Sequence, residues 1–299
     1  MKVLKTINLF FLLCLFCCTS TNIFASAKDS TGKSKGNKIY EPFRSTRLIN
    51  LHTVETLKHG VLEFRIAHRF GAINGGGNEL WGLDQATMRI ALEYGITSNF
   101  MAGIGRSTYQ KTYDGFLKWS ILQQRDKGMP ISLTAFSSIA INGVPFTDSS
   151  SYFSSRMSFV SQLIIAKKFG NNLTIQLSPT IIHKNLVELV IDKNTTFALG
   201  FSGKYNISKS LSLNMEYIYR YKDGVNSPSF TNFHNSFSIG LGIDTRGHFF
   251  EFNLSNSFPM VEKSFITEST DNWLKGGIHL GFNIIRDFKV VKPKKKAKF

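Results

Sequence analysis

The sequence has little cysteine and, beyond its first residues, no long apolar stretch. All three cysteines, Cys14, Cys17 and Cys18, fall close to the N-terminus. Because the rest of the chain has no cysteine, it can form no disulfide, thiol nucleophile or thiolate metal site. After residue 27 no apolar run reaches the roughly 18 residues that a membrane-spanning helix requires. A membrane protein built from apolar helices is thereby excluded.

The first 27 residues have the pattern of an export signal. Lys2 and Lys5 supply the charge, residues 7–18 form a short apolar stretch, and Ala25-Ser26-Ala27 fits a cleavage site. We therefore predict that residues 1–27 are a signal peptide cleaved near Ala27. The alternative is a lipoprotein signal in which Cys17 or Cys18 carries the lipid.

The chain is strongly basic. It has 36 Lys and Arg against 20 Asp and Glu, a formal charge of +16. Such a charge fits nucleic acid, anionic lipid or an anionic solute, and export argues against nucleic acid. Much of the excess lies in residues 289–299, which we predict to be a basic periplasmic tail. The tail is either solvated or a contact for a periplasmic protein, through these lysines: Lys292, Lys294, Lys295 and Lys296.

Aromatic residues are abundant, with 27 Phe, 9 Tyr and 3 Trp, and they recur at every second position. Leu211, Leu213, Met215, Tyr217 and Tyr219 share one face of an extended segment, and Ser212, Asn214 and Glu216 share the other, with Ile218 as an exception. Successive side chains of a strand point to opposite faces, so each such segment has an apolar and a polar face. We expect an apolar, lipid-facing surface that includes these aromatics: Tyr217, Tyr219, Phe250, Phe252 and Phe282.

The length and spacing of the segments decide between a soluble sandwich and a membrane barrel. Twelve strands are predicted, near 60–70, 86–96, 99–108, 112–124, 130–141, 157–169, 172–182, 195–206, 210–221, 234–244, 247–257 and 276–288. Each is about ten residues long, which suits a tilted strand crossing a bilayer, whereas soluble strands average about five or six. Short turns also alternate with long loops. The sequence thus predicts an all-β fold: a transmembrane, antiparallel, up-and-down barrel over 60–288, in the bacterial outer membrane and in contact with its lipid.

Three parts of the chain do not follow the strand pattern. Residues 28–44, rich in Ser, Gly and Lys, are predicted to be a flexible leader. Residues 45–59 are extended, but a thirteenth strand would give an odd number, so we expect this segment in the periplasm or in the lumen. Pro179 cannot donate to a strand ladder, so a bulge or a local break is expected there.

The N-terminal third resembles a family of Bacteroidota outer-membrane β-barrels that carries a domain-of-unknown-function label. The resemblance covers residues 45 to 124 and rests on the following stretches: Ser45–Asn50, Val54–Leu57, Leu62–Gly71, Trp81–Asp84, Leu92–Ile96, Gly103–Ser107 and Gly115–Trp119. It implies the fold and the location. It implies no activity.

Charged residues of the polar face concentrate in the first four strands. By alternation the following point into the lumen: Glu63, Arg65, Arg69, Arg89, Glu93, Asp114 and Lys118. Charges that line a lumen can set the ion preference of a pore. Alternatively they pair across strands and fill a narrow barrel structurally.

One long loop has an unusual composition. It contains Gly75, Gly76 and Gly77, followed by Trp81 and Asp84. Consecutive glycines permit close backbone approach, so the loop is a candidate constriction of the mouth. The alternative is a surface loop with Trp81 at the membrane interface.

The seven histidines lack a familiar metal spacing, and no cofactor is predicted. The leading prediction is a passive pore or small-solute transport barrel with a weak bias towards anionic solutes. The alternative is a non-conducting structural or docking barrel. A membrane-embedded hydrolase, which would need Ser and His together, comes third, and we predict no enzymatic activity.

Overall fold

The computed structural model describes residues 41–145, 152–187, 189, 191–221, 232–245 and 247–291. The predicted signal peptide, the leader up to residue 40 and the four tail lysines (Lys292, Lys294, Lys295 and Lys296) lie outside the described residues.

Twelve antiparallel strands form one closed barrel. In chain order they are β1 Val61–Ala72, β2 Ala86–Gly95, β3 Phe100–Ser107, β4 Tyr113–Leu122, β5 Ser132–Ile141, β6 Met157–Phe169, β7 Leu173–Lys184, β8 Thr195–Asn206, β9 Leu211–Arg220, β10 Ser236–Asp244, β11 Phe249–Ser255 and β12 His279–Lys289. Each strand pairs with its neighbours in the chain, and β1 pairs with β12 to close the ring. The predicted fold class is confirmed.

The alternation of the sequence produces the two faces of the wall. On β9, Glu216 and Arg220 are buried, whereas Tyr217 and Tyr219 are 40% and 45% exposed. Phe252 on β11 is 52% exposed. Because the ring is closed, no strand edge is left unpaired, and the apolar side chains form its outer surface.

Pro179 interrupts the wall locally. On one side it pairs in register with Leu199 of β8. On the other side, the bridges from β7 to β6 are interrupted between Leu177 and Thr180 and resume in the same register. The ladder therefore breaks without a bulge, as expected for a residue that lacks an N–H.

Short helical segments lie in the connections at one rim. Within the described ranges they include the 3₁₀ segments Ile73–Gly82, Tyr109–Lys111, Phe153–Arg156 and Trp273–Lys275, and the α-helix α1, Glu262–Thr267. No helix among the described residues has the length and apolar character to cross a membrane. The opposite rim carries tight turns, such as Gly95 to Phe100 between β2 and β3.

Candidate functional site

All seven predicted lumen charges are buried. Their side chains point into the ring from β1, β2 and β4, and none of these residues is more than 6% exposed: Glu63, Arg65, Arg69, Arg89, Glu93, Asp114 and Lys118. Arg89 and Asp114 form an ion pair with two hydrogen bonds between β2 and β4. Because these charges are shielded from water, each needs an oppositely charged or hydrogen-bonding partner.

The partners are supplied largely by the chain that precedes the first strand. We call residues 43–57 the lumen segment. It folds back on itself: the Leu48 N–H donates to the Leu51 carbonyl at 2.9 Å, and the Thr53 N–H donates to the Thr46 carbonyl at 2.9 Å. Most of its residues are buried, and strands from all around the ring contact it, so it lies inside the barrel.

The tip of the lumen segment is held by one carboxylate. Glu216 of β9 accepts hydrogen bonds from three successive backbone N–H groups: those of Ile49 at 2.8 Å, Asn50 at 2.9 Å and Leu51 at 3.0 Å. The two oxygens of one carboxyl group have acceptor capacity for all three N–H groups. Asn283 of β12 donates to the Ile49 carbonyl at 3.1 Å. The wall thus satisfies the backbone groups of the tip, which has no ladder of its own.

Five of the seven predicted lumen charges form hydrogen bonds with the lumen segment. The Lys118 ammonium donates to the Thr46 carbonyl at 2.9 Å, and the Arg65 guanidinium donates to the Thr46 hydroxyl at 2.9 Å. That hydroxyl also donates to Glu93 at 2.9 Å. Arg69 donates to the Asn50 side chain at 3.0 Å. These cations and carboxylates are ligands of the segment rather than the lining of an open channel.

Apolar side chains of the wall also pack against the lumen segment. One cluster joins Phe43, Leu48, Val54 and Leu57 to side chains from four strands of the wall: Met101, Phe116, Phe136, Ile164 and Ala166. A second cluster joins Leu51 to Ile218, Val160, Ile182 and Ala198 and to Phe265 and Ile266 of α1. Apolar residues at inward positions would be unfavourable facing water, but here they pack on the segment.

A second stretch fills the lumen from the rim that carries the helices. We call residues 256–271 the capping loop. It includes α1, in which every residue is buried. Arg47 of the lumen segment pairs with Glu262 of α1 at 2.5 Å, and the His52 ring lies 3.3 Å from the same carboxylate. The lumen segment and the capping loop therefore contact each other inside the barrel.

Burial controls the charge of the groups at this junction. Burial and the nearby cations Arg47 and Lys118 lower the pKa of His52 well below its usual range, so its ring is neutral at neutral pH. Burial also lowers the pKa of Arg47, against the opposing effect of Glu262. Where Arg47, Arg65 and Arg89 approach one another, a void of about 10 Å³ remains. That volume holds about one water molecule.

The capping loop is fastened to the wall by an ion-pair cluster. Glu268 lies 2.7 Å from Lys184 of β7 and 3.2 Å from Lys263 of α1. Burial alone would raise the pKa of Glu268, but the two ammonium groups outweigh it and lower this pKa to about 2. Glu268 is therefore ionised at neutral pH, and the cluster stabilises the loop in the lumen.

The structure places the glycine-rich loop on the rim. Its candidates Gly77 and Asp84 are exposed and Gly75 and Gly76 are partly exposed, while Trp81 is 61% exposed. Gly76 has a φ of +63°, in the left-handed region that favours glycine. The loop is tied to the neighbouring connection by the Ile73 N–H, which donates to the Ile278 carbonyl at 2.9 Å. The stretch that enters the lumen from this rim is the capping loop instead.

Both ring nitrogens of His279, a buried histidine at the start of β12, contact oxygen acceptors. Nδ1 lies 2.9 Å from the Phe70 carbonyl, and Nε2 lies 3.1 Å from Asp271. The hydrogen bond from His279 lowers the pKa of Asp271. A general base needs a ring nitrogen directed at the nucleophile, and this geometry provides none. Among the described residues, no group of three or more His, Cys, Asp or Glu is placed to hold a metal ion.

Two apolar residues at inward-facing positions of the sequence indicate that the lumen is occupied. Ile218 occurs at a polar phase of β9, and Phe116 shares its phase with Asp114 and Lys118. Both are apolar residues on the inward face, and both contact the lumen segment clusters.

Several solved outer-membrane proteins are similar to the chain at low sequence identity. A NanC porin shares 9% identity with a TM-score of 0.49, covering 76% of this chain and 99% of its own. A KdgM porin shares 8% with a TM-score of 0.46, covering 76% and 99%. A COG4313 outer membrane channel from Pseudomonas putida F1 shares 13% with a TM-score of 0.45, covering 79% and 98%. No curated protein matches the chain.

A family match covers the ring and its filling together. Residues 43–288 match the family described as "Membrane bound beta barrel domain (DUF5777)". The match begins where the lumen segment begins and ends within β12. The chain therefore belongs to this family of membrane-bound β-barrel domains.

Proposed function

We propose that this protein is a pore-like barrel of the bacterial outer membrane that is closed at rest by its own lumen segment and capping loop. The proposal rests on the three hydrogen bonds that Glu216 accepts from the backbone at the tip of the lumen segment. The alternation of short turns and long loops supports the location, with the short turns on the periplasmic side. The resemblance of residues 45–124 to Bacteroidota barrels agrees with it.

The predicted preference for anions belongs to an open state. In the closed state Arg65 lies 2.7 Å from Glu63, Arg89 is paired with Asp114, and Lys118 binds the lumen segment. Cations that are neutralised in this way give little selectivity. If the segment leaves, Lys118 and Arg65 lose their partners on it, and these positive charges then face the passage.

Conductance in a planar lipid bilayer tests the closure. We expect the refolded chain beginning at Lys28 to insert and to conduct almost no current. Glu216→Ala leaves three backbone N–H groups of the segment without their acceptor, and we expect it to show discrete conducting steps with anion preference.

Glu251→Gln is the matched control. Glu251 is also buried on the inner wall, but it accepts hydrogen bonds from the wall residues Asn214 and Asn283. We expect this variant to remain silent. A steady open conductance of the parent chain would overturn the proposed closure at rest.

A docking barrel that never conducts is the second candidate. The chain leaves the barrel beside its first strand, where Val290 and Val291 donate to the Gly60 carbonyl. Val290 and Val291 are 56% and 45% exposed, and the lysines of residues 292–299 follow. A silent Glu216→Ala variant, together with a periplasmic protein that co-purifies with the parent but not after replacement of these lysines by glutamine, would favour docking.

A further inference from the structure

A cavity of about 200 Å³ lies at the outer mouth, above the capping loop. Its floor is formed by Lys263, Thr267 and Glu268 of that loop. Its walls come from the ends of β6, β7, β8 and β9 and from the connections between strands. Two of the wall residues, Ser158 and Arg220, are buried on the inner face. The cavity therefore opens inside the ring, away from the lipid-facing surface.

The lining carries an excess of positive charge. Among the residues that the structure describes, five cationic side chains contribute to it: Arg156, Lys184, Lys193, Arg220 and Lys263. Two described carboxylates, Asp192 and Glu268, oppose them. The Glu268 charge is shared by Lys184 at 2.7 Å and Lys263 at 3.2 Å. The remaining field in this concave site is positive and attracts anions.

The Arg220 guanidinium is held in a fixed position. It donates to the Thr267 carbonyl at 3.2 Å and to the Phe233 carbonyl at 3.3 Å, and it lies 5.6 Å from the centre of the Phe233 ring. A guanidinium that is oriented before binding loses less entropy when it meets a carboxylate or a phosphate. Neutral hydrogen-bonding groups also line the cavity, among them Gln110, Asn142 and Thr196.

We propose that this cavity binds a small soluble solute that carries both an anionic group and several hydroxyl groups, such as a sugar phosphate or a sugar acid. The cationic side chains recognise the anionic group, and the amides and hydroxyls of the wall recognise the hydroxyl groups. A volume of about 200 Å³ lies below the roughly 300–1,000 Å³ of pockets for drug-sized ligands, so the cavity fits a single sugar ring better than a chain of them. The site does not depend on whether the lumen conducts.

Calorimetric titration of the refolded full barrel in detergent micelles tests the proposal. Glucose 6-phosphate is the probe, and glucose and inorganic phosphate are the comparisons. We expect glucose 6-phosphate to bind at least tenfold more tightly than either one, and its affinity to fall as salt screens the cations. Equal affinity for glucose would overturn the role of charge, and equal affinity for phosphate would overturn the role of the hydroxyl groups.

A pair of double variants assigns binding to the cavity. Arg156→Gln with Lys193→Gln removes two positive charges from the lining, and we expect at least a tenfold loss of affinity. Lys209→Gln with Lys275→Gln removes two exposed charges elsewhere and should leave affinity unchanged. Circular dichroism checks that both variants fold. The same affinity in both double variants would overturn the assignment to this cavity.

Discussion

The carboxylate of Glu216 lies 2.9 Å from the backbone nitrogen of Asn50, although the two residues are 166 positions apart in the chain. This contact makes the lumen segment part of the barrel core. The same carboxylate accepts hydrogen bonds from the two neighbouring N–H groups, so a single wall residue is the acceptor for three successive N–H groups of the tip. The interior of this barrel is organised like that of a packed protein, with paired charges and apolar clusters.

Leu51→Ala should destabilise the barrel. Leu51 is 1% exposed and packs between the wall and α1, so its truncation leaves a cavity and should lower the free energy of unfolding by about 2–5 kcal/mol. Guanidinium unfolding of the refolded barrel in micelles measures this. Leu274→Ala, at a position that is 96% exposed, is the control and should change little. Equal effects of the two variants would show that Leu51 is not packed.

Gly105→Ala should disturb the ion pair between Arg89 and Asp114. A methyl group on Gly105 of β3 would stand 2.6 Å from the Arg89 guanidinium and 2.9 Å from the Asp114 carboxylate, so the pair must shift. Overpacking of this kind costs about 1–3 kcal/mol. At Gly203 of β8 the same methyl group meets no atom within 4 Å. Gly203→Ala should therefore leave the unfolding midpoint nearly unchanged, and equal midpoints for the two variants would contradict this account.

The lumen segment should make stability depend on pH through Glu55. Burial raises the pKa of Glu55 from 4.5 to about 7, against the hydrogen bond from the Phe43 N–H at 3.0 Å. Between these values the folded protein binds more protons than the unfolded chain, so this contribution to stability is complete below pH 4.5 and is lost as the pH rises to 7.

Glu55→Gln isolates that contribution. Unfolding of the parent and the variant across pH 4 to 8 should show a shallower fall of stability with rising pH in the variant. Glu79→Gln removes an exposed carboxylate from the rim loop and should follow the parent. A Glu55→Gln profile that is parallel to the parent over this range would contradict the burial of the Glu55 carboxyl group.

The strands could be predicted from the sequence because their information is local. Alternation with a period of two and turns at regular spacing place β2 at 86–96, and the structure has Ala86–Gly95. The same alternation assigns Lys118 and Glu93 to the inner face, where both are buried. Only the bounds differ: β11 ends at Ser255, two residues before the prediction, because Asn256 and Ser257 begin the capping loop.

The filling of the lumen could not be predicted in the same way. Neither the lumen segment nor the capping loop has a regular hydrophobic period. The contacts that hold them in place connect residues far apart in sequence, such as Arg47 and Glu262. Residues 258–275 lie between the last two predicted strands and have the length of a long outer loop. Their apolar residues Val261, Phe265 and Ile266 are instead buried inside the ring, because an open lumen would leave them and the inward apolar side chains of the wall in water.

Chemical labelling of a single cysteine in the lumen segment tests the central claim most directly. The chain beginning at Lys28 has no cysteine, so Thr53→Cys introduces a unique thiol at a position that is 0% exposed. Lys209→Cys places the same thiol in an exposed turn. We predict that a water-soluble maleimide labels the exposed cysteine of the folded barrel at least a hundredfold faster, and that both cysteines react equally after unfolding. Equal labelling rates in the folded barrel would contradict a lumen closed by its own N-terminal segment.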